Sequence, residues 1–137
     1  MEKIGSCTIA YGHDVETLAF DWGNIKLLSE PDVTGGQTMT FGMVVVAPGK
    51  GHARHNHPNA DEVIFVISGE AEQMLDDEPP VMIRPGASVY IPRGVYHSTL
   101  NTGWEPLRLI VVYAPAGEEN VLRALPDVTL LPPGTLA

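Results

Sequence analysis

From residue 37 onward the chain breaks into short apolar runs of strand character, each closed by turn residues within about a dozen positions. QTMTFGMVVVAP (37–48), rich in β-branched and aromatic residues, stops at Pro48-Gly49. DEVIFVIS (61–68), AEQML (71–75), VMI (81–83), ASVYI (87–91), YHSTL (96–100) and LRLIVVYA (107–114) follow. Ser68-Gly69, the run Asp76 to Pro80, Pro85-Gly86, Pro92-Arg93-Gly94 and Asn101-Thr102-Gly103 separate them. Segments of this length are too short for a helical bundle and lack the intervening helices of a parallel sheet. The pattern predicts an all-β chain, an antiparallel sandwich or small barrel whose closure removes exposed strand edges.

At 137 residues the chain reads as one domain with enough length to bury a core. Residues 35–116 form the expected barrel core. Residues 1–34 are weakly patterned and are expected to supply an N-terminal arm that packs on the barrel, with NIKLLS (24–29) as its strand. Residues 117–137 are expected to hold a short helix and an extended tail. GEENVLRAL (117–125) has early acids, a late Arg123 and Pro126 just beyond, whereas LPDVTLLPPGTLA is broken by prolines.

Seventeen acidic against eight basic residues give a formal charge of −9, which argues against nucleic acid or an anionic membrane surface as partner. No apolar run reaches the ~18 residues of a membrane helix. The single Cys7 has no internal disulfide partner, and MEKIGSCTIA lacks a secretory leader, so a cytoplasmic location is expected.

The chemistry concentrates in GHARHNHPNADE (51–62), which holds three of the five histidines. In an extended strand His55 and His57 point to the same face, two imidazoles of a metal site. Such a pair serves a polar loop equally well. The turn-like interval Pro58 to Asp61 frees Glu62 from that strand's parity and lets its carboxylate return toward the pair. His97 follows the Pro92-Arg93-Gly94 turn, and a closed fold is needed to bring it to the others. Three imidazoles and one carboxylate suit a single divalent iron, manganese, nickel, cobalt or zinc ion, and in an octahedron leave two positions open.

Gly49 to Gly69 reads G-x5-H-x-H-x4-E-x6-G, and Gly86 to Asn101 reads G-x5-P-x-G-x2-H-x3-N. Together they resemble the two signature motifs of the cupin superfamily, in order and without a departure, separated by the short interval of its small single-domain microbial members. The resemblance covers residues 49–101 in detail and the flanking strands by pattern. It implies a cupin-type antiparallel β-barrel, a double-stranded β-helix or jelly roll, in which His55, His57, Glu62 and His97 bind one divalent metal ion. It also implies roles for Gly69 and Gly94 in backbone conformations that a β-carbon disfavours, and for Pro92 in stiffening the turn before His97.

Strand parity turns His52 away from the ligand face, and His13 reads as a solvated loop residue. Met39, Phe41 and Met43 alternate on one face, as does Tyr90 on its own strand. Core filling accounts for them, and a pocket wall above the metal is the functional reading. Arg84, just before the second motif, and Arg93, in its central turn, can receive a substrate carboxylate, although arginines at strand ends are ordinarily solvated. The pocket expected from sequence is therefore built on Met43, Tyr90 and Arg84.

The family resemblance implies several chemistries, since cupins include dioxygenases, decarboxylases, isomerases, lyases, cyclases, storage proteins and sugar-binding regulators. The leading expectation is a metal-dependent enzyme for a small organic acid, diketone or phenol-like substrate, with dioxygenase-type chemistry ahead of non-redox decarboxylation, isomerisation, lysis or cyclisation. A non-catalytic ligand-binding or sensor barrel is the third expectation. By the same resemblance the chain forms a homodimer, with NIKLLS or the tail as the pairing segment.

Overall fold

The computed structural model describes residues 1–135; the last two residues of the expected tail lie outside the described residues. In chain order the strands are β1 (Glu2–Ile4), β2 (Cys7–Ile9), β3 (Thr17–Phe20), β4 (Gly23–Ser29), β5 (Thr40–Val46), β6 (Gly51–His55), β7 (Asp61–Ser68), β8 (Ala71–Leu75), β9 (Val81–Ile83), β10 (Ser88–Ile91), β11 (His97–Asn101), β12 (Leu107–Ala114) and β13 (Thr129–Leu131). Two short helices, α1 (Pro31–Thr34) and α2 (Glu119–Arg123), complete the described elements, with a single 3-10 turn at Gly12–Asp14. No helix among the described residues is long and apolar enough to cross a membrane.

Seven strands form one sheet in the order β10-β7-β12-β5-β4-β3-β13, four form a second in the order β6-β11-β8-β9, and every pairing is antiparallel. The two sheets bury their inner faces against each other, giving the jelly-roll barrel of a double-stranded β-helix. Alternation selects those faces. In β5, Thr40, Gly42, Val44 and Val46 are buried and the residues between them are half-buried; in β12 the buried set is Leu107, Leu109, Val111 and Tyr113.

Register stacks these side chains in layers. Val66 and Val44 oppose Leu109; Ile64 and Gly42 oppose Val111; Glu62 and Thr40 oppose Tyr113. The large sheet's inner face is therefore aliphatic in its lower layers and polar in the last one. Leu18, Leu27, Val46, Val66 and Leu107 are among the most completely buried side chains and anchor the apolar end.

The segment NIKLLS lies within β4, which pairs with β3 and β5 of its own chain, and the tail's β13 extends the same sheet beyond β3. Residues 17–29 thus belong to the barrel wall, and both segments expected to pair with a second copy are used within the one chain. The short helix expected within 117–125 forms as α2, and its two early acids also tie it to the barrel: Glu119 accepts a hydrogen bond from Thr40 Oγ1 at 2.8 Å, and Glu118 accepts one from the Asn59 amide at 3.2 Å.

Asn101, which ends the second motif, closes the apolar end. Its amide donates to Val46 O at 2.9 Å and Glu105 O at 2.8 Å, and its Oδ1 accepts from the Gly103 amide at 2.9 Å. One fully buried side chain thereby joins β11 of the small sheet to β5 of the large one. Gly69 (φ +86°) makes the matching close approach, where an added β-carbon would stand 3.0 Å from both Leu107 Cα and Pro106 O. Asn101→Ala removes three hydrogen bonds to backbone groups, the one to Val46 O fully buried, and should destabilise the fold by about 2–4 kcal/mol, at about 1 kcal/mol for each hydrogen bond lost. Urea unfolding measures this loss, and a change below about 0.5 kcal/mol would show that the bridge between the sheets contributes nothing to stability.

Candidate metal centre

The site begins with a main-chain pairing. β11 pairs with β6 so that His97 lies directly opposite His55. Beyond the end of β6 the chain carries His57, turns through Pro58 and Asn59, and enters β7, whose inward parity presents Glu62. The turn before His97 is fastened to this corner: the Gly94 backbone amide donates to His57 O at 3.0 Å, and Asn56 Nδ2 donates to Gly94 O at 3.3 Å. Gly94 has φ +79°, a left-handed conformation that a residue with a β-carbon adopts only at a cost of about 1–2 kcal/mol.

His55, His57, Glu62 and His97 each offer one ligand atom, and all four atoms lie within 4.8 Å of one another. Glu62 Oε2 stands 2.9 Å from His57 Nε2 and 3.6 Å from His97 Nε2. The far nitrogen of each ring is already engaged. His55 Nδ1 lies 2.7 Å from Ala53 O, His97 Nδ1 lies 3.0 Å from Val95 O, and His57 Nδ1 lies 3.3 Å from Glu118 Oε2. An acceptor at Nδ1 fixes the proton there and leaves the Nε2 lone pair facing the centre, the tautomer a metal requires.

Whether an ion fits can be read from unmet polar groups. His57 Nε2, His97 Nε2 and Glu62 Oε2 are buried without an aligned hydrogen-bond partner. Leaving such atoms unsatisfied costs about 1–3 kcal/mol each, and more when charged. Three of them converge on one point together with His55, so this donor set fits a divalent first-row ion. His55, His57, Glu62 and His97 would hold it.

Electrostatics follow from burial and from the two carboxylates. Burial alone would raise Glu62, but the imidazoles of His57 and His97 facing its carboxylate reverse this and bring its pKa to about 2. Burial also works against a charged His57, yet Glu62 and Glu118 on its two sides outweigh it and hold the ring above the ordinary histidine value. His55 is lowered by burial to about 3, helped by the neighbouring histidines. Tyr113, opposite Glu62 in the pairing of β12 with β7, is pushed well above the ordinary tyrosine value by burial and by the acids around it.

His52 departs from the parity expectation. β11 advances two residues from His97 to Thr99 while β6 goes back three, from His55 to His52, so a β-bulge lies between the two pairs. The extra residue returns His52 to the same face as His55, with ring centroids 4.0 Å apart, and it stacks on Trp22 at 5.1 Å. Burial lowers His52 to about 4. His52 and His55 are half-buried whereas His57, Glu62 and His97 are buried, so the cavity opens along β6.

Met43, Tyr90 and Arg84 do not line this cavity. Met43 alternates with the buried Val44, and Tyr90 with the buried Val89 and Ile91, which puts both on the outer face of the large sheet, Tyr90 at 61% exposure. Arg84 borders a separate surface depression with Glu70, Gly103 and Trp104. Arg93 pairs with Asp61, whose carboxylate accepts from the Arg93 amide at 3.1 Å. The cavity wall is instead Trp22, Ile25, Val44, His52, Thr99 and Tyr113, among others. Inward parity from Glu62 and Val111 marks Tyr113 in the sequence; Trp22 and Glu118 have no comparable local signal.

The histidine shifts set a pH dependence for the metal-free protein. His52 and His55 resist protonation when folded, so the unfolded chain binds more protons between about pH 6.5 and 3, and stability falls as pH drops through that window. Glu62 adds a further loss from 4.5 toward 2. His57 has the opposite sign: its contribution is present below the ordinary histidine value and is lost as pH rises through its elevated one. The metal-free chain should therefore melt at a lower temperature at pH 5 than at pH 7, and His52→Phe, which keeps the stack on Trp22, should narrow that difference. An equal difference in both proteins would contradict the placement of His52.

A family model described as the cupin domain matches residues 42–113. Protein SchB of Streptomyces halstedii is 34% identical over 93 residues, 68% of this chain and 67% of that protein. The protein named polyketide synthase CurC of Streptomyces cyaneus is 28% identical over 93 residues, 68% of this chain and 60% of its own length. The chain thus spans two thirds or less of these curated relatives. Among solved structures, KdgF from Halomonas sp. superposes with a TM-score of 0.71 at 16% identity, covering 83% of this chain and 98% of that one. With the family model spanning β12, β7, β11 and all four candidate ligands, the chain belongs to the cupin family.

Proposed function

We propose that this protein is a metal-dependent enzyme acting on a small oxygen-bearing organic molecule at a mononuclear divalent ion, with dioxygenase-type chemistry as the leading reading. The observation that carries it is the convergence of three orphaned buried ligand atoms and His55 on one point beside a cavity. A bound ion there would supply Lewis acidity and, if redox-active, a path for electrons between substrate and oxygen.

The chain's own residues narrow the substrate. The cavity is about 40 Å³, room for only two or three water-sized groups. A substrate therefore brings a small oxygen-bearing end inward and leaves its bulk toward the mouth along β6. Oxygenation suits this volume, because the second reactant is diatomic. The aromatic pair Trp22 and His52 suits a planar keto or phenolic skeleton at the wall, and kinship with a protein named for polyketide synthesis supports the same class.

Non-redox chemistry, such as decarboxylation, isomerisation, lysis or cyclisation, has one observation in its favour. His52 is an imidazole at the cavity wall that is outside the ligand group and neutral near pH 7, and can take a proton from a bound substrate. Tyr113 stays protonated in the same cavity and can donate a hydrogen bond to developing negative charge.

Iron-reconstituted protein should consume oxygen when offered a panel of 1,3-diketones and catechols, and His97→Ala should lose at least 100-fold of that rate. An oxygen electrode read beside product analysis separates the readings. Substrate loss without oxygen uptake would move the assignment to the non-redox reaction, where His52→Gln should lower kcat more than it changes KM.

A further inference from the structure

Among the described residues four buried side-chain atoms lack a hydrogen-bond partner, and a bound ion would account for three of them. The fourth is Gln73 Nε2, on a side chain with no exposure at all. An amide buried without a partner costs about 1–3 kcal/mol, so its retention calls for an occupant.

Its neighbours are given by register. Thr99 of β11 lies opposite Gln73 of β8 on one side and His52 of β6 on the other. The adjoining row of the small sheet is Leu75, His97 and His55. A polar row thus runs across the inner face, two residues beyond His97 on β11, about 7 Å along that strand, and three residues before His55 on the bulged β6. Thr99 Oγ1 donates to Gln73 Oε1 at 2.6 Å, which fixes the hydroxyl. Thr99 and His52 line the cavity, and the large sheet faces them with the apolar Ile25, Val44, Leu109 and Val111.

The row has a definite chemical character. Thr99 Oγ1 remains able to accept, an imidazole donates at one nitrogen and accepts at the other, and the Gln73 amide retains its donors. No lysine or arginine lines the cavity among the described residues. The row therefore suits an uncharged oxygen and gives no counter-ion to a second carboxylate.

We propose that Gln73, Thr99 and His52 form a recognition subsite for a hydroxyl or keto oxygen on a ligand whose other end chelates the ion. Thr99 and His52 touch that oxygen. Gln73, which does not line the cavity, is a positioning residue that holds the Thr99 hydroxyl, and its free amide is met by a water that bridges toward the ligand oxygen. The subsite rests on the metal-centre reading above and specifies its substrate: a short chelator bearing a second, neutral oxygen a few bonds away.

The test compares two probes on manganese-loaded protein by titration calorimetry: 2-oxobutanoate, which offers only the chelating end, and 4-hydroxy-2-oxobutanoate, which adds one hydroxyl. The parent should bind the hydroxylated probe about fivefold to tenfold more tightly, the value of one hydrogen bond. That ratio should fall to about one in Thr99→Val. The double variant Gln73→Leu/Thr99→Val removes both polar partners together, leaves no orphaned amide, and should behave the same way with its metal content unchanged. A parent that binds both probes equally, or neither, overturns the subsite, as does a ratio that survives in both variants. Metal content measured on the same samples separates the causes: a parent that takes up no manganese fails at the metal centre, and one that is loaded but indifferent to the hydroxyl fails only here.

Discussion

The pairing of β11 with β6 is the constraint on which the rest of the site depends. It sets His97 opposite His55 across two strands that are far apart in sequence, and it leaves the Pro92-Arg93-Gly94 turn against the loop that carries His57. Each motif is locally unremarkable, an HxH strand end and a tight turn before a histidine. Their union by main-chain hydrogen bonds converts two half-sites into a four-ligand group. The glycines serve this union. Gly94 adopts the left-handed turn that lets its amide reach His57, and Gly69 lets the start of β12 pack closely enough for the large sheet to close.

The barrel tolerates a polar layer because its other layers are so completely apolar. Burying three imidazoles and a carboxylate is costly by itself, and Tyr113, Thr40 and Gly42 continue the large sheet's inner face directly into the aliphatic layers of Val44, Ile64, Val66 and Leu109. That rigid support fixes the ligands in place. Helix α2 then covers the polar end, pinned through Glu119 to Thr40, so that Glu118 reaches both His57 Nδ1 and the Asn59 amide. A carboxylate behind a ligating imidazole raises its basicity and fixes its orientation. The five-residue helix therefore buttresses the candidate metal centre.

Much of this was legible in the residues. Alternation and turn chemistry placed β7, β8, β9 and β12 at their observed limits, because each is bounded by glycine, proline or acidic turn residues. His55, His57 and Glu62 were legible for a similar reason, since HxH parity and the short Pro58 to Asp61 turn are local properties, whereas His97 was legible only through the resemblance carried by the second motif. The misreadings came where parity was carried through an irregularity that the sequence does not announce. The bulge between His55 and His52 brought a histidine into the cavity that regular alternation excludes. Met43 and Tyr90 failed in the opposite way, since a run such as TFGMVVV is apolar on both faces and does not reveal which one is inside. Trp22, Glu118 and Gln73 reach the site or its edge only through long-range packing.

The account's central claim is that His55, His57, Glu62 and His97 hold an ion. The most direct measurement is elemental analysis of protein purified without chelator or a nickel column, beside His55→Ala/His57→Ala prepared in the same way. The account predicts about one equivalent of a divalent first-row metal in the parent and almost none in the variant. Equal metal in both, or none in a parent that stays empty after anaerobic reconstitution with iron and manganese, would contradict it.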